Sequence, residues 1–205
     1  MSLSGIFLIV FLTQHLIINL TSLIPDEGAV FNIISHFMGN NPVVQFILQP
    51  ILILGVVVHF SMGIYLEIQN QRSRQISYVK YSGKSGASWA SRNMIISGLV
   101  VLAFLIMHFY DFWVPEIKYK YIDYGPLDEA RYFHELQHKF QGELTRVLMY
   151  CCSFILLGLH LAHGFASSLQ SMGITKGPIK TATKTFAIIV PAGFVFIAAF
   201  HYIFN

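Results

Sequence analysis

Residues 4–15 read SGIFLIVFLTQH, and residues 97–108 read SGLVVLAFLIMH. Each segment begins with a Ser-Gly pair and ends with a histidine, and both are almost wholly apolar in between. A helix that crosses a bilayer needs roughly 20 predominantly apolar residues, and both segments lie in stretches of about that length. The repeat therefore predicts two similar membrane-spanning helices, each with a histidine inside its apolar stretch.

A second repeat is shorter and also contains a histidine. Residues 59–63 read HFSMG, and residues 160–164 read HLAHG. The chain thus resembles two similar helix pairs followed by one further apolar helix. Histidine is costly inside a membrane and is usually functional there. The candidate site residues are therefore His15, His59, His108 and His160.

The composition of the chain favours a membrane protein. Of its 205 residues, 55% are hydrophobic and only 11% are charged, which is unusual for a soluble domain. Five apolar stretches are long enough to cross a bilayer: about 1–23, 43–66, 94–114, 145–170 and 184–204. We expect an all-α integral membrane protein, in which residues 1–205 form a single membrane domain of five transmembrane helices in a bundle. The first stretch has no Lys or Arg before it, unlike a signal peptide, so it is expected to remain.

Basic residues are concentrated in two of the predicted loops. The loop 69–92 carries five Lys or Arg residues, the loop 172–184 carries three Lys residues, and neither loop contains an acid. Loops rich in Lys and Arg tend to stay in the cytoplasm. Both loops are therefore predicted to be cytoplasmic, which places the N-terminus in the cytoplasm and directs the first helix outward.

Helix direction predicts the depth of each histidine. His15 and His108 lie beyond the midpoints of outward-running helices, so we expect them near the outer face. His59 and His160 lie beyond the midpoints of inward-running helices, so we expect them near the cytoplasm. The helical rise separates these two layers by roughly 10 Å. Each layer has two histidines from different helices, and helix bundles hold an iron between two imidazoles in this way.

Other interpretations of these residues remain open. The four histidines could be isolated polar residues packed inside the bundle, and His163 could replace His160 as a ligand. Gly63 and Gly164 each lie four residues after a candidate ligand, on the same helix face. Without a Cβ they would let a flat macrocycle approach the backbone, or they would only tighten a helix–helix contact.

A competing motif lies in a predicted outer loop. Residues 134–138 read HELQH, which matches the H-E-x-x-H pattern of zinc metalloproteases. His134 and His138 would bind zinc on one helix face, and Glu135 would act on the metal-bound water, with Glu143 as the candidate third ligand. An outer-face zinc metalloprotease is therefore the second functional hypothesis. The alternative for the segment 132–140 is an amphipathic helix with a solvated face.

Several longer segments can be compared with a known family. They read QHLIIN at residues 14–19, HFSMGIYLE at 59–67, MHFYDFW at 107–113, HLAHG at 160–164 and MGI at 172–174. Together they resemble the cytochrome b558 family, the five-helix, dihaem membrane anchor subunit of succinate:quinone oxidoreductase (complex II). The resemblance extends along essentially the whole chain. Residues 36–42, HFMGNNP, are similar to the branch found in menaquinone-using bacteria.

The resemblance implies two haem b groups as cofactors. His59 and His160 would bind the iron of an inner haem near the cytoplasm, and His15 and His108 would bind the iron of an outer haem. Some relatives carry a glutamate, linked to transmembrane proton movement, two residues before the fourth ligand. Gly158 stands at that position here, so the resemblance does not extend to a proton route of that kind.

The resemblance also implies partners and a location. The chain would be a subunit of the succinate dehydrogenase of the tricarboxylic acid cycle, in the cytoplasmic (inner) membrane of a bacterium. Its partners would be a flavoprotein subunit, which carries the dicarboxylate active site, and an iron–sulfur subunit. Electron transport would run from these subunits through the haems to membrane quinone, with menaquinone expected. Membrane lipid would surround the chain, and no nucleic acid is expected to bind it.

Two further assignments keep alternatives. Arg92 is a candidate for docking a partner or pairing with a haem propionate, or it is an ordinary residue of a cytoplasmic loop. The quinone could bind at the inner end, near Glu67 and Arg92, or at the outer end. The candidate residues at the outer end are His36, Tyr110, Asp111 and Trp113.

Overall fold

The computed structural model describes residues 1–73, 94–174 and 177–204. Within these ranges the chain forms eight α-helices and no strand. The helices are α1 (Ser2–Leu20), α2 (Ala29–Asn40), α3 (Gln49–Arg72), α4 (Met94–His108), α5 (Val114–Tyr121), α6 (Arg131–Phe140), α7 (Leu144–Ser171) and α8 (Gly177–Ile203). A 3-10 turn, Thr21–Leu23, follows α1, and π turns at Val44–Leu48 and Phe109–Trp113 precede α3 and α5.

Five helical stretches of the described chain are long and apolar enough to cross a membrane. They are Ser2–Leu23, Val44–Arg72, Met94–Tyr121, Leu144–Ser171 and Gly177–Ile203. The structure therefore confirms the all-α fold and the five candidate transmembrane helices that the apolar stretches predict. No residue of α3 is buried by the rest of the described chain. A helix so apolar and so exposed is suited to lipid rather than water.

Three spans continue beyond the boundaries predicted from hydropathy. The second span continues to Arg72, and the third passes through a π turn and α5 to end at Tyr121. The helix α8 begins at Gly177, seven residues before the predicted start at 184. These extensions are rich in polar residues, which hydropathy does not recognise as helical. Pro178 is the second residue of α8, where proline fits because the first turn does not need its N–H.

Four long helices form the corners of a square bundle. Packed interfaces join α1 to α3, α3 to α4, α4 to α7, and α7 back to α1. Among the described residues, no comparable interface joins α1 to α4 or α3 to α7, so these pairs are diagonal. The fifth long helix, α8, packs outside this square, against α7 above all and also against α1.

Glycines allow α8 to lie close to its neighbours. A Cβ built on Gly158 of α7 would lie 3.0 Å from the carbonyl oxygen of Ala187. A Cβ built on Gly193 of α8 would lie 2.9 Å from Cδ1 of Leu16. Both distances are shorter than normal carbon contacts. Small residues at these positions therefore permit the close backbone approach that is common between membrane helices.

The short helices α2 and α6 pack together at one end of the bundle, which we call the cap end; the other is the Met1 end. Gly28, with φ +79°, turns the chain into α2, a conformation that glycine adopts without strain. The side-chain oxygen of Asn32 accepts a 2.9 Å hydrogen bond from the backbone N–H of Phe133, which joins the two helices. The fully buried His201 of α8 hydrogen-bonds Ser22 at 2.9 Å beneath them.

Candidate cofactor site in the helix bundle

The histidines of the Met1-end layer lie opposite each other across one diagonal. His59 comes from α3 and His160 from α7. Their ring centroids are 6.5 Å apart, and the ring planes are inclined by 77°. Since α3 and α7 share no packed interface in the described chain, the two rings lie in the space between diagonal helices.

The second pair repeats this arrangement on the other diagonal, nearer the cap end. His15 of α1 and His108 of α4 have ring centroids 5.8 Å apart and an interplanar angle of 84°. Aromatic rings pack against these two imidazoles and make the layer apolar: Phe11, Phe104, Phe112, Tyr150 and Phe194. The structure thus brings together the two histidine pairs that helix direction predicts, at two depths.

The spacing of the rings suits two imidazoles that bind one metal ion from opposite sides. With metal–nitrogen bonds of about 2 Å, the two ring centroids would lie roughly 6 Å apart. The observed separations, 6.5 Å and 5.8 Å, lie on either side of that value. All four histidines are half-buried, so the described chain does not fully enclose either pair. These residues therefore fit a haem iron with two histidine ligands.

One buried nitrogen adds to this fit. Nδ1 of His108 is buried and has no hydrogen-bond partner within the described chain. Buried polar atoms are nearly always paired, and exceptions concentrate at sites with a special role. The sequence could not have identified this atom, because its isolation depends on the apolar rings that tertiary packing places around it.

Serines of the sequence repeat contact the histidines of the Met1-end layer. Ser4 Oγ lies 3.1 Å from Nδ1 of His59, and Ser97 Oγ lies 3.1 Å from Nδ1 of His160. In each case the serine is on the first long helix of a repeat, and the histidine is on the second. The Ser-Gly pair is thus a contact of the site as well as a marker of the repeat.

The glycines singled out in the sequence are covered by movable side chains. A Cβ built on Gly63 would lie 3.2 Å from Cε of Met1, and one built on Gly164 would lie 3.2 Å from Cε of Met94. A methionine tip is flexible and can move away from a bound group. These two positions therefore suit the close approach of a macrocycle, and they follow the same two-fold repeat as the histidines.

A buried polar cluster lies next to His108, at the π turn that follows α4. Asp111 is 3% exposed and accepts a 2.9 Å hydrogen bond from the hydroxyl of Tyr150. Nε of Arg146 and Nζ of Lys139 lie 3.6 Å and 3.9 Å from its carboxylate oxygens. Asp111 was a quinone candidate on sequence grounds, but its charged neighbours come from α6 and α7 and only tertiary structure shows them.

The other quinone candidates lie apart from this cluster or are exposed. Tyr110 is 72% exposed and Trp113 is 38% exposed. Nε2 of His36 lies 3.1 Å from the carbonyl oxygen of Glu129, and its ring packs on Tyr132. At the Met1 end, Glu67 accepts a hydrogen bond from Gln71, one turn further along α3. Arg92 lies outside the described residues.

The HELQH segment lies on α6, an amphipathic helix. Leu136 and Phe140 are buried beneath it, whereas His134 and His138 are exposed. The carboxylate of Glu135 accepts a 2.9 Å hydrogen bond from the guanidinium of Arg131. Within the described residues, no three His, Cys, Asp or Glu side chains are grouped closely enough to hold a metal ion.

Arg131 also belongs to an ion-pair network that fastens α6 to α5. Its guanidinium bonds Glu116, which also pairs with Lys120 and accepts a 2.7 Å hydrogen bond from Tyr132. Burial alone would lower the pKa of Arg131, but the hydrogen bond and charge of Glu116 raise it above its usual value. Burial and the bond to Glu116 both raise the pKa of the Tyr132 hydroxyl. The network therefore combines a neutral Tyr132 hydroxyl with the paired charges of Glu116, Arg131 and Lys120.

Comparison with models of protein families, with curated proteins and with solved structures gives no match to this chain. The geometry of its residues and the sequence resemblance described above are therefore the grounds for a functional proposal.

Proposed function

We propose that the chain is the dihaem cytochrome b membrane anchor of a succinate:quinone oxidoreductase, the cytochrome b558 type of complex II. The observation that carries the proposal is the pair of diagonal histidine couples, His59 with His160 and His15 with His108, at two depths of one bundle. Four isolated packing histidines would have no reason to meet in pairs, each with a ring spacing suited to one metal ion. The segments that resemble the cytochrome b558 family contain these same residues.

In this function the chain's own residues hold and insulate two haem b groups. His59 and His160 would bind one iron, His15 and His108 would bind the other, and Gly63 and Gly164 would leave room beside the first. The bound haems supply one-electron transfer, with a reduction potential set by ligands, hydrogen bonds and burial. The aromatic rings around His15 and His108 would give the second haem an apolar environment.

The partners follow from the division of labour in such a complex. A flavoprotein subunit would oxidise succinate, an iron–sulfur subunit would pass electrons to this chain, and membrane quinone, as menaquinone, would accept them. The basic loops 69–92 and 172–184 favour a cytoplasmic N-terminus and docking of both subunits at the Met1 end. This orientation puts His59 and His160 on the side of the iron–sulfur partner, in the cytoplasmic membrane of a bacterium.

A haem assay on the purified full chain tests the proposal. We expect two b-type haems per polypeptide by pyridine haemochrome, and a reduced-minus-oxidised spectrum with b-type bands. The quadruple variant, with all four histidines replaced by alanine, should bind none and serves as the control for haem trapped in detergent. A chain that contains zinc and no haem would overturn the proposal in favour of a hydrolase at Glu135.

A further inference from the structure

The two histidines of the Met1-end layer are supported in the same way. Each has a serine hydroxyl beside its Nδ1: Ser4 for His59 and Ser97 for His160, both at 3.1 Å. The two contacts were formed by different helices, yet they agree in atom type and distance. A serine hydroxyl beside Nδ1 is thus a feature that both candidate ligands of this layer share.

The second partner of each serine decides where the imidazole proton lies. Ser97 Oγ donates to the carbonyl oxygen of Met94 at 2.9 Å, and Ser4 Oγ donates to the carbonyl oxygen of Met1 at 2.8 Å. A carbonyl oxygen only accepts, and a hydroxyl has a single proton to donate. Because that proton points at the carbonyl, each serine oxygen must accept the N–H of the histidine. A neutral imidazole has one N–H, so its Nε2 keeps a free lone pair.

In the part of the chain that the structure describes, the layer nearer the cap end shows no such serine contact. Nδ1 of His108 has no hydrogen-bond partner within the described chain. Near His15, the side-chain nitrogen of Asn19 lies 2.8 Å from the backbone carbonyl of His15 and 3.5 Å from its Nδ1. The short contact with a carbonyl identifies this atom as the amide nitrogen, which is a donor. An imidazole N–H at Nδ1 of His15 would therefore find no acceptor in Asn19.

We propose that Ser4 and Ser97 are positioning residues, which fix His59 and His160 in the tautomer whose Nε2 binds metal and which strengthen electron donation by this pair alone. An acceptor at the second ring nitrogen fixes ring orientation and raises the basicity of a metal-bound imidazole. A more basic ligand stabilises the oxidised iron, so it lowers the reduction potential of that haem. The effect on the reduction potential rests on the proposed function, because it requires a bound haem. The assignment of the tautomer does not.

The tautomer can be tested in the haem-free full chain, reconstituted in lipid nanodiscs with 15N-labelled histidine. We expect the side-chain 15N signals of His59 and His160 to show a protonated Nδ1. In Ser97→Ala, the His160 signal should change toward a mixture of tautomers while the His59 signal stays as it was; Ser4→Ala should do the converse. A protonated Nε2 in the wild-type chain would overturn the proposal, whatever the cofactor.

The effect on the haem is tested by redox titration of the loaded chain. Ser97→Ala and Ser4→Ala should each raise the midpoint potential of one haem, the same one in both variants, and leave the other unchanged. Ser97→Thr keeps a hydroxyl and should restore the wild-type value. Ser153→Ala is the matched control, because Ser153 lies on α7 together with His160, but its hydroxyl bonds the Met149 carbonyl of its own helix.

The outcomes separate this proposal from the proposed function. Unchanged potentials in Ser4→Ala and Ser97→Ala, or equal shifts of both haems, would contradict the role of the serines while leaving a dihaem protein. Loss of one haem in Ser97→Ala with retention in Ser97→Thr would support positioning, whereas loss in both would contradict it. A wild-type chain that binds no haem would refute the proposed function, and the 15N signals would still decide the tautomer.

Discussion

The hydroxyl of Tyr150 donates a 2.9 Å hydrogen bond to Asp111, and this contact is buried between α7 and the π turn that follows His108. Tyr150 is 2% exposed and Asp111 is 3% exposed. The carboxylate has two further neighbours, Arg146 and Lys139, at longer distances. A buried carboxylate is costly unless it is paired and hydrogen-bonded, so these contacts together permit a charge beside the second histidine pair.

Removing the Tyr150 hydroxyl should therefore destabilise the bundle, although the substitution deletes a single oxygen atom. Tyr150→Phe removes the donor and leaves Asp111 buried with one hydrogen bond fewer, at a cost of about 1–3 kcal/mol in the free energy of unfolding. Thermal or denaturant unfolding in mild detergent measures this. Tyr110→Phe removes a hydroxyl from a residue that is 72% exposed and should change little. Equal stability of the two variants would show that the Tyr150 bond contributes nothing.

If the proposed function holds, the diagonal geometry predicts which histidines would share a haem. His59→Ala and His160→Ala should abolish the same haem, and His15→Ala and His108→Ala should abolish the other, because each couple meets across one diagonal. Low-temperature difference spectra with separate α-band components measure the two haems. His163→Ala is the matched control one turn from His160 and should keep both. If His163→Ala lost a haem that His160→Ala retained, the assignment of His160 as the ligand on α7 would be wrong.

The HELQH segment provides a test between the two functional classes. Glu135 makes a partly exposed ion pair with Arg131 on its own helix, and such pairs contribute about 0–1 kcal/mol. Glu135→Gln should therefore leave haem content and succinate-linked quinone reduction nearly unchanged. A zinc hydrolase would lose its activity almost entirely, because this glutamate would be its general base. A variant that keeps both haems but reduces quinone slowly would instead indicate proton transfer at α6.

Glu116 should matter much more for stability than Glu135. It bonds Arg131, which is only 7% exposed, and it also holds Lys120 and Tyr132. Removing one partner of a largely buried pair leaves an uncompensated charge, with a typical cost of about 3 kcal/mol. Glu116→Gln should lower the unfolding free energy by about that amount, against less than about 1 kcal/mol for Glu135→Gln. Similar losses in both variants would contradict this ranking.

The same network predicts a tyrosine that resists alkaline titration. The raised pKa of Tyr132 means that its neutral form is favoured in the folded chain. The stability from this shift is therefore fully present below about pH 10, the ordinary pKa of tyrosine, and is lost as the pH rises through the folded value. Phenolate absorbance of the wild type and Tyr132→Phe should coincide near pH 10 while the protein is folded. In Glu116→Gln an additional phenol should titrate closer to pH 10.

Hydropathy was sufficient to predict the five candidate spans. The histidine repeat and the helix directions were sufficient to predict which histidines lie close together. The sequence did not predict α2, because its twelve residues are too few for a span and polar side chains interrupt them. It also placed α8 seven residues late, because its first turns are rich in Lys and Thr. The role of Ser4 was missed for another reason. A hydrogen bond between residues 55 apart depends on helix packing, which periodicity alone does not describe.

The diagonal pairing of the histidines also has a consequence for assembly. The first repeat supplies His15 and His59, the second supplies His108 and His160, and each couple takes one residue from each repeat. Neither half of the chain can therefore form a complete site by itself. A group bound across a diagonal would link two helices that share no packed interface of their own. Folding of the bundle and binding of such a group would then be coupled, because the group would contact helices from both repeats.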